Sequence, residues 1–105
     1  MENVKTRNDI QRIATEKAIK ILSKNKDLVL NNSSCGWDSG ECLISMATDE
    51  DIHRADMIIF IVLERGSLWI DGVAKLSVYK RVFNYETNEN EMHKIETVKE
   101  FKQKY

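Results

Sequence analysis

Two cysteines and two histidines are the side chains of this 105-residue chain best suited to bind a transition metal: Cys35, Cys42, His53 and His93. Thiolate and imidazole are preferred zinc ligands, and structural zinc sites usually pair them across about two to four intervening residues. Six residues separate Cys35 from Cys42, and both histidines are distant in sequence. The spacing therefore argues against zinc, and the sequence predicts no metal ligands.

The segment SCGWDSGEC at residues 34–42 carries both cysteines. Its glycines permit a turn, and Trp37 can close over the edge of the core, so the segment is predicted to be a loop that leads into a strand. Nothing beside either cysteine is arranged to lower a thiol pKa, which disfavours a catalytic Cys–His pair. We expect both thiols to be free, because two cysteines are too few for a secreted disulfide scaffold.

Carboxylates are dense in the middle of the chain and could serve a hydrolytic metal site. Carboxylates that converge from neighbouring strand ends can hold Mg²⁺, which keeps water molecules for hydrolysis. In that case the catalytic candidates are Glu41, Asp49 and Glu64. A solvated acidic loop is the simpler interpretation of these residues, and it predicts neither a catalytic residue nor a cofactor.

Basic and aromatic residues gather later in the chain. In an extended strand Tyr79, Arg81, Phe83 and Tyr85 share one face, where rings can stack on bases and a guanidinium can contact phosphate. The candidate nucleic-acid contacts are Lys75, Tyr79, Lys80, Arg81 and Lys94. Aromatic residues at alternate strand positions also commonly fill a core with an arginine at its edge, so a structural role stays open.

The elements that must position these side chains follow from hydrophobic periodicity. Apolar residues recur at helical spacing over residues 9–24, and Asn8 with Gln11 resembles a capping box. MIIFIVL, at residues 57–63, is apolar at every position and predicts a central strand that is covered on both faces. Further strands are predicted from β-strand patterns and turn signals at residues 27–30, 42–47, 67–70, 76–86 and 91–98.

The end of the chain is predicted to be a short helix. Thr97 and Glu100 repeat the capping pattern, while Val98, Phe101 and Tyr105 would form one helical face. The order of helix, several strands and helix predicts the α+β class, with the N-terminal helix packed on a mainly antiparallel or mixed sheet of about five to six strands. Residues 1–105 are expected to form a single domain.

Composition limits the partners that the chain can attract. There are 16 Lys and Arg against 17 Asp and Glu, so the net charge is −1 and no global basic field draws in nucleic acid or an anionic membrane. The N-terminal residues lack an apolar segment, and the longest apolar run is too short to span a bilayer. We expect a cytoplasmic protein with no membrane partner.

A resemblance to a known family covers residues 9–65. The order of IATEKAIKIL, a strand ending in LNNSSC, SGECLISMATDED and IIFIVLER resembles the YraN-like proteins of the PD-(D/E)xK nuclease superfamily. Gly40-Glu41, Ala47 with Asp49, and Phe60 carry the short matches. The resemblance implies a restriction-endonuclease-like fold, in which acidic side chains bind a divalent metal and a lysine assists the hydrolytic water.

The residues that the family uses for catalysis are changed in this chain. The helix glutamate corresponds to Thr15, the metal-binding aspartate to Leu43, the strand glutamate to Val62 and the lysine to Glu64. Leucine and valine cannot coordinate Mg²⁺, and Glu64 reverses the charge that lysine would present to phosphate. Even with a shared fold, catalysis by the family's route is not expected.

The sequence therefore predicts a small non-catalytic domain that acts by surface recognition of nucleic acid or protein. Two alternatives remain: a metal-dependent nuclease with relocated acidic ligands, which would use Mg²⁺, and an immunity or anti-defence protein that binds a protein partner. The hairpin around TNEN is predicted at a sheet edge, where unpaired backbone groups could form a homodimer unless Lys80 and Lys94 protect it.

Overall fold

The computed structural model describes residues 7–31, 40–51, 54–65 and 73–102. The predicted features at residues 32–39, 52–53 and 66–72, which include Cys35, Trp37, His53 and the strand at 67–70, lie outside these ranges. The described part of the chain forms, in order, α1 Arg7–Lys24, β1 Val29–Asn31, β2 Gly40–Ala47, β3 Met57–Arg65, β4 Val73–Asn84 and β5 Glu89–Lys102. The strands form one antiparallel sheet in chain order, which confirms the α+β class.

Helix α1 covers one face of this sheet. Ala14 and Ala18 are buried on its inner side, and their small side chains allow the helix to lie close to the strands. The helix begins at Arg7, ahead of the predicted cap at Asn8. At the other end the backbone N–H of Asn25 donates to the Ile21 carbonyl at 3.1 Å, and the Asn25 side chain donates to the same oxygen at 2.9 Å.

Strand β3 is the centre of the core. Residues 58–63 are buried without interruption, although their side chains point alternately to opposite faces of the sheet. The prediction of a strand covered on both sides is therefore confirmed. Ile59, Ile61 and Leu63 belong to the cluster that packs against α1. We call this side of the sheet the helix face.

The opposite side of β3 carries Ile58, Phe60 and Val62, which form a second buried cluster with Ala47. Tyr79 and Ala55 pack against this cluster. Because directly paired residues of antiparallel strands point to the same side, the register assigns residues of the other strands to each face. We call this second side the groove face.

The predicted C-terminal helix is wrong, since β5 continues to Lys102 and pairs with β4 along its length. Two register shifts in the β4–β5 pairing leave one extra residue each on β5. Leu76 pairs with Lys99 but Ser77 pairs with Thr97, so Val98 is unpaired in the ladder. Val78 pairs with Glu96 but Tyr79 pairs with Lys94, so Ile95 is the second extra residue. Such bulges break the strict alternation of a strand. Val98, which the sequence placed on the predicted helical face, is therefore a bulge residue of β5.

The ends of the sheet, as far as the structure describes it, are the three-residue β1 and the long β5. The hairpin around TNEN thus lies at an edge, as predicted, with Lys94 on the edge strand and Lys80 on its neighbour β4. The two bulges and the charged side chains of β5 are features that oppose edge-to-edge pairing. Homodimer formation stays a prediction. Within the described ranges, no helix combines the length and apolar character needed to cross a bilayer.

Candidate nucleic-acid interface

The aromatic side chains of β4 lie on the groove face together with Arg81. Tyr79 pairs with Phe60 and Arg81 pairs with Ile58, so both point away from α1. Phe83 follows two residues later on the same side, and Tyr85 begins the turn after the strand. The alternation seen in the sequence therefore produces a row of side chains along one face of the sheet.

The end of this row lines an open cavity of about 490 Å³, which we call the groove. Two alternate turns of the sheet, β2–β3 and β4–β5, meet here, because Met57 at the start of β3 pairs with Val82 near the end of β4. The β2–β3 turn supplies one wall, and the β4–β5 hairpin supplies the other. The residues that line the groove are Arg54, Ala55, Asp56, Arg81, Phe83, Tyr85 and Asn90.

Polar side chains hold the β2–β3 turn in place. The Thr48 hydroxyl accepts hydrogen bonds from the backbone N–H groups of Asp56 at 3.0 Å and Met57 at 3.3 Å. The Asp49 carboxylate accepts a hydrogen bond from the backbone N–H of Asp51 at 2.8 Å. A bond of this kind, from an acidic side chain to the backbone two residues later, stabilises a local turn. Asp49 therefore helps to shape the turn that presents Asp56 to the groove.

The β4–β5 turn is ordered in a similar way. The Asn84 side-chain oxygen accepts the N–H groups of Glu86 at 2.9 Å and Thr87 at 3.4 Å, and its amide donates to Glu91 at 2.8 Å. Asn88 has a φ of 58°, a left-handed conformation that asparagine tolerates better than most residues. These contacts fix the start of the turn, which is the position of Tyr85.

A hydrogen bond connects the two walls of the groove. The Tyr85 hydroxyl donates to Asp56 Oδ1 at 3.1 Å, and this bond and the charge of Asp56 raise the pKa of Tyr85. The rings of Phe83 and Tyr85 meet edge to face, with their centroids 4.9 Å apart. Tyr85 is nevertheless 77% exposed, so much of its ring surface is open to a ligand.

The two arginines of the groove differ in their partners. Arg54 lies 3.7 Å from the Asp51 carboxylate. Arg81 is half-buried, and within the described ranges its guanidinium makes neither an ion pair nor a side-chain hydrogen bond. A partly desolvated cation without a carboxylate favours an anionic ligand, and guanidinium suits phosphate in particular.

A second polar cluster lies farther along the groove face. The Glu64 carboxylate accepts hydrogen bonds from Ser77 Oγ at 2.8 Å, from Lys94 Nζ at 3.1 Å and from the Tyr79 hydroxyl. Burial raises the pKa of Glu64, but the hydrogen bonds from Tyr79, Ser77 and Lys94, together with the charge of Lys94, hold the pKa below its ordinary value. Burial, the hydrogen bond and the charge of Glu64 raise the pKa of Tyr79 to about 12.

The five residues predicted to contact nucleic acid do not form one surface. Lys75, Tyr79, Arg81 and Lys94 lie on the groove face, whereas Lys80 pairs with Ile59 on the helix face. Lys94 is engaged by Glu64, with its Nζ also 5.8 Å from the centre of the Tyr79 ring, and Lys75 lies 3.8 Å from Glu100. Arg81 is therefore the predicted basic residue that is most available to a ligand in the groove.

The three acidic residues of the nuclease alternative are not brought together. Glu41 pairs with Leu63 on the helix face, while Glu64 lies on the groove face. Asp49 follows β2 at its far end, beyond about 20 Å of extended chain from Glu41. In the part of the chain that the structure describes, no three His, Cys, Asp or Glu side chains are grouped so that they could hold a metal ion.

Cys42 and His93, the two candidate zinc ligands within the described residues, lie on opposite faces of the sheet. Cys42 pairs with Val62 on the groove face, where its thiol lies 3.7 Å from the Ile44 carbonyl oxygen. His93 pairs with Lys80 on the opposite face and contacts Glu91 at 3.3 Å. Cys42 is half-buried and forms no disulfide within the described part of the chain.

Sequence reasoning missed Arg54, Asp56 and Asn90 as groove residues. Alternate turns of a sheet whose antiparallel strands follow chain order lie at the same end, and this rule would have placed the β2–β3 turn beside the β4–β5 turn. The acidic residues of the β2–β3 turn suggested a metal site, but Asp49 organises the turn and Asp56 lines the groove.

Comparisons with known proteins find no matching family model, no similar curated protein and no similar solved structure. The resemblance to YraN-like nucleases therefore stays a prediction. Function has to be inferred from the groove itself.

Proposed function

We propose that this chain is a non-catalytic domain that binds single-stranded nucleic acid in the groove. The observation that carries the proposal is the half-buried guanidinium of Arg81, which makes no ion pair with the described residues and lines one cavity with the exposed ring of Tyr85. Aromatic rings stack on bases, and arginine contacts phosphate. This pair of side chains therefore matches the base and the phosphate that repeat along a single strand. Such binding does not require the catalytic residues of YraN-like nucleases, which this chain has changed.

The groove fits a single strand better than a duplex. An unpaired base exposes its ring faces for stacking, whereas the bases of a duplex are stacked on one another. The groove is also short, with a volume of about 490 Å³, which is typical of a site for one small ligand or one nucleotide unit. We expect contact with few nucleotides rather than a long track.

We expect the affinity for nucleic acid to depend only weakly on salt concentration, because the net charge is −1 and the groove offers few cations to phosphate. A protein that neutralises Z phosphates of a single strand shows a slope of about −0.7Z in a plot of log affinity against log salt. One or two phosphates at Arg81 and Arg54 thus predict a slope of about −1. Stacking would supply much of the remaining affinity.

Fluorescence anisotropy with short labelled single-stranded RNA tests the proposal. Arg81→Gln should weaken binding about tenfold, or ~1.4 kcal/mol, because a contact to phosphate is lost. Tyr85→Ala should have an effect of similar size through lost stacking. Lys80→Gln is the matched control: it removes a cation from the adjacent position of β4, but from the helix face. We expect it to change affinity less than about twofold, since it is outside the groove.

The measurements must distinguish the loss of a direct contact in the groove from a general effect of lower positive charge on affinity. Equal weakening by Arg81→Gln and Lys80→Gln would contradict the groove as the site. Absence of binding by the wild-type chain, shown to be folded by a cooperative urea transition, would contradict the proposal altogether. Binding of duplex RNA as tight as binding of the single strand would rule out stacking in the groove as its basis.

A protein partner is the second candidate, and the observation that favours it is Met92. This residue is 47% exposed and pairs with Arg81, so it lies beside the groove on the same face. Methionine, tyrosine and arginine are enriched at protein interfaces. A toxin or defence gene adjacent to the gene for this chain would identify the partner to test. A complex of the two purified proteins that Met92→Glu disrupts, with no affinity for RNA, would favour this candidate.

A further inference from the structure

Among the described side chains, the groove contains one carboxylate beside arginines, aromatic rings and an amide, and hydrogen bonds hold it in place. Asp56 is the acidic residue among the described side chains that line the cavity. Its backbone N–H is bound by Thr48 at 3.0 Å, and its Oδ1 accepts the Tyr85 hydroxyl at 3.1 Å. A carboxylate would oppose a ligand that presents only phosphate, so its presence calls for a ligand that also offers hydrogen-bond donors.

We propose that Asp56 makes the groove selective for guanine, an inference that rests on the proposed binding of nucleic acid. An ionised carboxylate accepts hydrogen bonds at two oxygens, with about four lone-pair sites. Tyr85 occupies one of these sites, and within the described ranges no side chain donates to Oδ2. The carboxylate therefore retains the capacity to accept further donors from a base.

Guanine is the base whose pairing edge matches this capacity. Its ring N1–H and its exocyclic amino group are neighbouring donors and can meet the two oxygens of a carboxylate together. Adenine presents a ring acceptor beside its amino group, and the pairing edges of cytosine and uracil also place acceptors beside their donors. These acceptors would face the oxygens of Asp56, and buried polar groups that lack a partner weaken binding.

The other groove residues are placed to hold the same nucleotide. Tyr85 donates to Asp56 through its hydroxyl, so its exposed ring lies next to the carboxylate and can stack on the base that Asp56 binds. Arg81 lines the same cavity and supplies a cation for the phosphate. One guanine nucleotide would then meet all three side chains.

Binding of RNA pentamers that carry one variable base among uridines tests this inference. The wild-type chain should bind the guanosine pentamer about tenfold more tightly than the adenosine pentamer, a typical preference for a two-donor contact to a base. Inosine keeps the ring N–H but lacks the amino group, so its pentamer should fall between the two. Asp56→Asn should reduce the preference for guanosine to about twofold or less, because the amide replaces an acceptor with a donor.

Asp49→Asn is the matched control. It removes the same charge from the same turn, but asparagine keeps the oxygen that accepts the Asp51 N–H. The preference for guanosine should therefore survive in this variant. Its loss in both variants would overturn the inference, because the effect would then come from charge or turn shape rather than from contact with Asp56.

The other outcomes separate this inference from the function on which it rests. Equal affinity for the guanosine, adenosine and uridine pentamers would overturn guanine selectivity and leave single-strand binding intact. Guanosine monophosphate that binds as tightly as the guanosine pentamer would support Asp56 as the guanine contact and overturn the proposal that the ligand is a strand. No binding of either probe would overturn both proposals.

Discussion

The two faces of the sheet use the same strands for different purposes. On the helix face, Ile59 and Ile61 are buried against α1 in a continuous apolar cluster. On the groove face, Phe60 and Val62 are equally buried, but hydrogen-bonded polar groups lie on one side of them and an open cavity on the other. Because a strand alternates its side chains, the same strands provide an apolar layer against α1 and a layer with polar groups beside a cavity.

Truncation of the helix-face core should give the largest effect. Ile61 is 0% exposed, so Ile61→Ala removes packed methyl groups and leaves a cavity, which is expected to reduce the free energy of unfolding by about 2–5 kcal/mol. Urea unfolding followed by circular dichroism measures this loss. The comparison variant is Tyr85→Ala in the groove, which should leave the unfolding midpoint unchanged because the side chain is mostly exposed.

The two variants together test the division between the faces. A loss of stability in Tyr85→Ala as large as that in Ile61→Ala would show that the groove is part of the core. In that case the aromatic row of β4 would have a structural role, as part of the core, and not a role in binding.

The Glu64 cluster should make a smaller contribution, and one that depends on pH. Glu64→Gln removes the charge that Lys94 approaches at 3.1 Å and weakens the bonds from Ser77 and Tyr79. With 23% of the Glu64 side chain exposed, we expect a loss of about 1–2 kcal/mol at neutral pH. Urea midpoints of both proteins, compared at neutral pH, measure it.

The sign of the pH dependence follows from the lowered pKa of Glu64. The folded state binds this proton less tightly than the unfolded state, so the stabilisation is present above the ordinary value of 4.5 and is lost as the pH falls through the lowered pKa. The difference between wild type and Glu64→Gln should therefore shrink on acidification below 4.5. A difference that stayed constant or grew would mean that the ionised carboxylate is not the source of the stability.

The sequence predicted the centre of the molecule better than its end. The uninterrupted apolar run of β3 has one simple explanation, a strand with both faces covered, and that explanation is correct. The end of the chain was assigned to a helix because Thr97 with Glu100 resembles a capping box and because Val98, Phe101 and Tyr105 recur at helical spacing. Local periodicity cannot distinguish a bulged strand from a short helix, since pairing with β4 decides between them.

The groove shows a second limit of sequence reasoning. The row of Tyr79, Arg81 and Phe83 is visible in the sequence because alternation is a local property. Arg54 and Asp56 join this row only because two turns meet at one end of the sheet, which depends on strand order. Even where residues were identified, Lys80 and Arg81 could be assigned to opposite faces only once the register was known.

The smallest expected effect concerns the two tyrosines that bond to carboxylates on the groove face. Tyr79→Phe removes the hydroxyl that donates to Glu64 and should reduce the free energy of unfolding by about 1 kcal/mol, since the ring can still pack against the second cluster. Tyr85→Phe removes the donor to Asp56 at an exposed site and should not shift the urea midpoint measurably.

Alkaline titration of tyrosine absorbance gives an independent measurement of the same difference. The pKa of about 12 predicts that Tyr79 ionises late, and that the stability due to its protonated hydroxyl is lost as the pH rises from the ordinary 10.0 towards 12. The late transition should disappear in Tyr79→Phe and move to lower pH in Glu64→Gln, because loss of the Glu64 charge removes one cause of the raised pKa. A late transition that persists in Tyr79→Phe would assign it to another tyrosine. Among the described side chains, Ser77 and Lys94 would then be the donors that hold Glu64 on the groove face.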